Sequence, residues 1–298
     1  MKHPPRLQPK KKKGAQIVLQ VFVILLAIMT VLPFLIIVSI SFSNEHTIAV
    51  EGYGLLPKDF DLSAYEFLFK NLEEIIRAYG VTAFYSFVSM FLSVFLMSLI
   101  AYVLSVRGFK GRKFISLYLF ITMLFNGGLV PSYILISKYL HLNNSIWVYI
   151  IPSLISPWSV FMIRAFFQGI PYEISESAIV DGADHFTIYW KLIVPLSKPV
   201  LATVALTTFL AKWNDWNTSL LYISDKNLRS LQYLLQQALM NVQMIQNMPQ
   251  AAAFVSSQIP TETVRMAMAV IVAGPALLIF PFFQKYFVKG LTLGSVKG

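Results

Sequence analysis

An all-α integral membrane protein is the fold class this sequence predicts, with six transmembrane helices and a patterned loop between the fourth and the fifth. Three observations predict it. Apolar residues make up 56% of the 298 and charged residues only 13%, about half the charged share of a soluble domain. The apolar residues gather into long runs, each near the roughly 20 residues that cross a bilayer. The net charge of +10 stands beside those runs rather than in a patch for nucleic acid, which is a topology signal.

The runs lie near 17–41, 80–106, 114–137, 146–168, 198–222 and 264–287. The first follows Lys10, Lys11, Lys12 and Lys13 as a signal peptide would, but it is too long and lacks a small-residue cleavage site, so it reads as a retained anchor. The segment 42–79 carries Glu45, Glu51, Asp59, Asp61, Glu66, Glu73 and Glu74 against Lys58, Lys70 and Arg77. That balance suits the outside, whereas Arg107, Lys110, Arg112 and Lys113 put the next loop in the cytoplasm. Lys285, Lys289 and Lys297 mark a basic tail. Both termini are therefore expected in the cytoplasm, with 169–197 inside and 223–263 outside.

Four of the six runs carry helix breakers: Pro33 in the first; Gly127, Gly128 and Pro131 in the third; Pro152 and Pro157 in the fourth; Gly274, Pro275 and Pro281 in the last. Freed backbone groups in a bilayer must find neighbours or water, so interruptions at this frequency predict helices bent around a pathway. Asn126, beside the glycine pair, is a candidate pathway residue. The domain division expected is 1–79 for the basic start, first span and outer loop, 80–287 for a five-span core, and 288–298 for a cytoplasmic tail. The outer loop includes an amphipathic stretch, "LRSLQYLLQQALMNVQMIQNM", fitted to packing on the outer rim. Cysteine is absent and the four histidines are scattered, which leaves metal binding unsupported.

The segment 171–199, "PYEISESAIVDGADHFTIYWKLIVPLSKP", is long for an internal loop and strongly patterned. Pro171 suits a helix start, and Glu173 and Glu176 suit its first turns, near the positive end of the dipole. Gly182 suits a left-handed C-terminal cap. Asp184 can cap a second short helix bearing Phe186, Tyr189 and Trp190. Pattern alone leaves two readings open: a helix lying on the membrane surface, or a helix–turn–helix knob whose small residues Ser177, Ala178, Gly182 and Ala183 permit close approach to another protein.

This segment resembles the cytoplasmic "EAA" loop of binding-protein-dependent importer permeases, E-A-A, three residues, G, nine residues, I-x-L-P. Here it reads Glu176-Ser177-Ala178, Gly182 and Leu192-Ile193-Val194-Pro195, with every spacing kept and three conservative departures at Ser177, Leu192 and Val194. The resemblance extends through "FNGGLVPSYILISKYLHLNNSIWVYIIP", "SKPVLATVALTTFLAKWNDWNTSLLYI" and "PFFQKYFVKGLTLGSVKG", and is similar to carbohydrate permeases of the maltose-transporter type, above all those for larger oligosaccharides. It implies a coupling helix seated on an ATPase through Glu176, Ser177, Ala178, Asp181, Gly182, Ala183 and Pro195. The partners implied are a second permease, two ATPase subunits, an extracytoplasmic binding protein, the carbohydrate and membrane lipid, with no nucleic acid. No cofactor is expected on this chain, ATP and Mg belonging to the ATPase. The absence of any G-x-x-x-x-G-K-[ST] loop agrees.

Run five ends in Lys212, Trp213, Asn214, Asp215, Trp216 and Asn217. Asp215 falls about 10 Å above the midplane, where a carboxylate costs up to about 3 kcal/mol, so it needs a partner, water or substrate. An ion pair with Lys212 is possible at this spacing. Two duties remain open for Trp213, Asn214, Asp215, Trp216 and Asn217: an outer aromatic belt, or a lining on which sugar rings stack. A secondary transporter would use Lys212 and Asp215 for ion coupling, but no internal repeat is visible. A membrane enzyme would need a catalytic pair, and none is apparent. The tail "KGLTLGSVKG" is rich in glycine and small residues, which predicts a non-helical extension held by a partner.

Overall fold

Helices make up the fold of the computed structural model, which describes residues 13–70, 72–246 and 262–294. Among these residues there is no strand, only an isolated bridge between Ser43 and Phe60. The chain divides into two units, residues 1–70 with 242–270 and residues 71–241 with 271–298.

In the first unit α1 runs Lys13–Ser41 without a break through Pro33. Its apolar side chains from Ile17 to Leu32 are exposed, as suits a helix facing lipid or another chain. Helix α2 (Glu45–Glu51) is capped by Asn44, whose Oδ1 accepts from the N–H of His46 at 3.0 Å. Helix α3 (Ser63–Phe69) returns Tyr65 to Ser41, its hydroxyl donating to Oγ at 2.9 Å. The Glu45 carboxylate accepts from the N–H groups of Glu262 and Thr263 at 2.9 and 2.8 Å, the first two residues of the last helix. A charge that reads as a topology signal thus also caps a helix N-terminus.

The second unit is organised on α4 (Leu72–Ser105), about 50 Å long by its rise and so longer than a bilayer core. Helix α5 (Arg112–Leu124) ends before Asn126, and α6 (Leu129–Ile134) leaves at 115° to it, continued by a π turn over Leu135–Tyr139. Gly128 supplies the turn with a φ of +87°, and Asn126 Oδ1 accepts its N–H at 2.8 Å. Two short 3₁₀ turns, Ile146–Tyr149 and Ile151–Ser153, meet α7 (Pro157–Gln168) at 50°. Helices α8 (Tyr172–Val180) and α9 (His185–Ile188) form the loop; a π turn and α10 (Val194–Leu196) follow. The segment from His185 to Leu196 meets α11 (Lys198–Trp213) at 81°. Helix α12 (Asn217–Tyr222) and the predicted amphipathic helix, α13 (Leu231–Gln246), come next. The last helix, α14, spans Glu262–Gly294 across both units.

Among the described residues three helices are long and apolar enough to cross a membrane alone, and up to six spans arise if each of the three bent pairs counts as one. The predicted breaks in runs three and four are present. Those in runs one and six are not: α1 and α14 continue through Pro33, Pro275 and Pro281. A proline deletes one donor, whereas ending a helix in lipid frees several, so continuation is favoured where no side chain caps a break. Run five breaks where none was expected, at residues 214–216. The tail also departs from expectation, since α14 remains helical to Gly294; Lys10 to Lys12 and residues 295–298 lie outside the described residues.

The core of this unit packs α4 against α7 and α11. Met97, Ala101, Leu104, Val160, Ile163, Tyr189 and Val204 are buried together, and Tyr85, Tyr149 and Ile223 form a second cluster. Small residues make this packing close. Thr82, Ser86, Ser89 and Ser93 are fully buried along one stripe of α4, the arrangement that lets membrane helices approach where lipid supplies no hydrophobic drive.

Candidate functional site

The loop 169–197 folds as its residues dictate. Pro171 precedes α8 and its carbonyl accepts from Ile174 N–H. At the other end Gly182 has a φ of +83°, and Ala183 N–H returns to Ala178 O at 2.9 Å, the closure of a left-handed helix cap. Asp184 then caps α9, its Oδ1 accepting Thr187 N–H at 3.2 Å. The hydrogen bonds from Thr187 hold this carboxyl below the ordinary aspartate range.

Two faces result. Ala178 and Ala183 pack inward on the α4–α7–α11 core, while Glu176, Ser177, Asp181 and Gly182 are exposed. A Cβ built on Gly182 meets nothing within 4 Å, so the need for glycine there is conformational and not crowding within this chain. The outer face also shows Val180 at 82% and Phe186 at 62% exposure. Sequence reasoning passed over Val180, although an apolar residue directly before Asp181-Gly182 was the available signal. Pro195 is separate from this face: it sits in α10, beside the 81° bend into α11.

Contacts behind the loop fix it to the spans. Tyr189 OH and Ser98 Oγ are 2.7 Å apart, Tyr102 OH lies 3.2 Å from His185 Nδ1, and the Arg107 guanidinium stacks over the Tyr172 ring at 4.3 Å. These join both loop helices to the end of α4, so the loop and α4 are mechanically linked.

The second candidate region is the break after Trp213. Lys212 and Trp213 are buried. The Lys212 ammonium donates to Tyr149 O and Ser153 Oγ, groups at the 3₁₀ turns where run four is interrupted. Tyr85 OH donates to Lys212 O at 3.1 Å and its ring stacks on Tyr149 at 4.2 Å. Trp213 Nε1 donates to Val272 O at 3.0 Å. Asp215 accepts from Thr218 N–H at 3.0 Å and Thr218 Oγ1 at 2.6 Å, which opens α12. The ion pair suggested by the Lys212–Asp215 spacing is therefore replaced: each charge has a different partner. Asn214 and Asn217 are exposed, and Asp215 and Trp216 are half-buried. Asn126 is exposed at the other break. Tyr149, Ser219 and Ser230 complete a buried network here, which no local pattern in the sequence could reveal because its members lie far apart in the chain.

Comparison with known proteins gives a consistent result. The family described as binding-protein-dependent transport system inner membrane component matches residues 77–293. The chain is 36% identical over 271 residues to Protein LplC of Bacillus subtilis, 90% of each chain being covered. It is 35% identical over 278 residues to the polygalacturonan/rhamnogalacturonan transport system permease protein YtcP of the same organism, covering 93% of this chain and 96% of that one. A chain from the crystal structure of a bacterial ABC transporter involved in import of the acidic polysaccharide alginate superposes with a TM-score of 0.80 at 27% identity, covering 95% of this chain and 100% of that chain.

Proposed function

The chain belongs to the family of binding-protein-dependent transport system inner membrane components, and from that premise we propose how it couples and what it carries. It is a permease subunit of an ABC importer for sugars. The substrate class is an oligosaccharide delivered by an extracytoplasmic binding protein. ATP is bound and hydrolysed by two copies of a partner subunit, and a second permease completes the channel. Six spans cross a bacterial inner membrane with both termini in the cytoplasm, three of them as bent pairs.

The observation that carries the reading is the family match across 77–293, which includes the loop with its kept spacing. Coupling is assigned to α8. Its exposed Glu176, Ser177, Val180, Asp181 and Gly182 suit a groove in the ATPase, and its inward Ala178 and Ala183 pass a push to the core. Closure of the ATPase pair would draw two such loops together, and the contacts of His185 and Tyr189 with α4 and of Tyr172 with Arg107 just beyond it would tilt the spans and open the outer side. Asn126, Asn214, Asp215, Trp216 and Asn217 line the route of the sugar, supported by their position at helix breaks where backbone and side chains must meet water or ligand. Trp213 supports that lining from behind through its bond to Val272. An ion-coupled carrier using Lys212 and Asp215 gains nothing from these contacts, because both groups are engaged elsewhere.

Purification of the tagged chain from its native membrane tests the reading. It should bring down an ATPase and a second permease, and deleting the chain should abolish oligosaccharide uptake. Loss of uptake of a non-sugar solute instead, with oligosaccharide uptake intact, would overturn the carbohydrate assignment.

A further inference from the structure

We infer that the loop end of the second unit holds an anion site fitted to a phosphate-bearing group. A cavity of about 400 Å³ lies between the end of α4, the start of α5, and helices α8 and α9. Arg107 and Arg112 line it, together with His185. Among the described residues neither guanidinium forms an ion pair with a carboxylate. Arg107 is oriented by the face of Tyr172, a contact that fixes its plane without using its N–H fork.

A third cation reinforces the field. Arg164 is within electrostatic reach of Arg112; one of its N–H groups bonds Ser116 Oγ at 2.9 Å, and its Nε is buried without a partner. Asp184 is within electrostatic reach of Tyr102 on the cavity wall, and its Oδ1 is occupied by the Thr187 N–H. Arg107 is exposed and Arg112 half-buried on the wall of this one concavity; like charges facing a common space repel one another, so an anion between them is favoured. Orientation of the chain explains why the loop is basic but not why two of its charges converge. Lys110 and Lys113 of the same loop are exposed and outside the cavity lining.

Planar forks on two arginines match the oxygens of a phosphate. The turn between α4 and α5 lies at the cytoplasmic membrane face by its charge, where phospholipid headgroups stand; inorganic phosphate from solution offers the same chemistry. Because the turn after α4 and the start of α5 supply the arginines and α8 and α9 supply Tyr172 and His185, a bound phosphate would tie the coupling loop to the spans. The inference rests on the membrane placement proposed above but not on ATPase docking, and lipid retention is measured without transport.

The test uses the complex assembled with its co-expressed partners in nanodiscs, of phosphatidylcholine alone or with phosphatidylglycerol. Retained phosphatidylglycerol is read by native mass spectrometry after mild delipidation. Wild type should keep it, and Arg112→Gln should keep roughly tenfold less, the loss of one charge-assisted contact. Lys113→Gln removes the same formal charge outside the cavity and should behave as wild type. If Arg112→Gln is not monodisperse, Arg107→Lys, which keeps the charge and loses the fork, should show the same direction of loss. Inorganic phosphate titrated into phosphatidylcholine discs separates the two sources: a thermal shift in wild type that Arg112→Gln abolishes would assign the site to soluble phosphate, and its absence beside selective lipid retention would assign the headgroup. Equal behaviour of the Arg112 and Lys113 variants in both arms would overturn the site.

Discussion

At the scale of single residues, Gly182 and Lys212 show how differently one chain uses its exceptional positions. Gly182 has a left-handed φ and open space where a side chain would project. Gly182→Val should therefore destabilise the loop by about 1–2 kcal/mol through backbone strain. Gly182→Asn, which tolerates that conformation, should lose only a fraction of it, and a thermal melt of the purified complex compares them. Lys212 is the reverse, a residue defined by its contacts. Lys212→Met should leave Tyr149 O without its donor at the interrupted fourth run and cost about 1–3 kcal/mol. Yield after detergent extraction should fall, whereas a normal yield and melt would remove Lys212 from the structural account. Asp215→Asn keeps an acceptor for Thr218, so assembly should be normal; reduced uptake by that variant would support the pathway assignment, and normal uptake would leave Asp215 as a cap alone. The sequence made Gly182 and Asp184 legible because caps are written in adjacent residues. The Lys212 contacts were hidden because they join residues 63 and 59 positions apart.

At the scale of elements, the apolar runs were legible and their interiors only partly so. A run of that length and composition admits little but a membrane helix, and α1, α4 and α14 follow. Whether a proline breaks such a helix depends on what can satisfy the freed groups. Residues 126–128 succeed because Asn126 bonds Gly128 N–H. Ser156 does the same ahead of α7, accepting from Ser159 N–H at 3.4 Å. Helix α14 crosses Pro275 and Pro281 intact, and periodicity carries no information on that choice. The start of α14 gives a direct check. Its first two N–H groups bond Glu45, so Glu45→Ala should cost about 1–2 kcal/mol and raise amide exchange over residues 262–266. Unchanged exchange there would mean that the cap is not needed. The same element bears on the tail. Removal of 292–298 should lower ATPase stimulation if this end contacts the ATPase, and undiminished stimulation would exclude it from coupling.

At the scale of the whole molecule, charge placement and family membership together define the account. A reporter fused after Gly111 should read cytoplasmic and one near Asp61 extracytoplasmic, and the opposite pair of readings would invert the scheme. The central claim is that α8 transmits force from an ATPase to the spans. Its outward Glu176, Ser177, Val180, Asp181 and Gly182 are exposed, while its inward Ala178 and the following Ala183 are packed on the core. Glu176→Lys reverses an exposed charge in the middle of α8, and Gly182→Asp adds bulk and charge at the tip. Neither change touches the core or the break after Trp213. The decisive measurement is ATPase copurified per permease for these two variants, with hydrolysis driven by the loaded binding protein measured on the same samples. The account predicts that both quantities collapse while the permease pair still inserts in normal amount; full ATPase attachment with full coupled hydrolysis in both variants would contradict it.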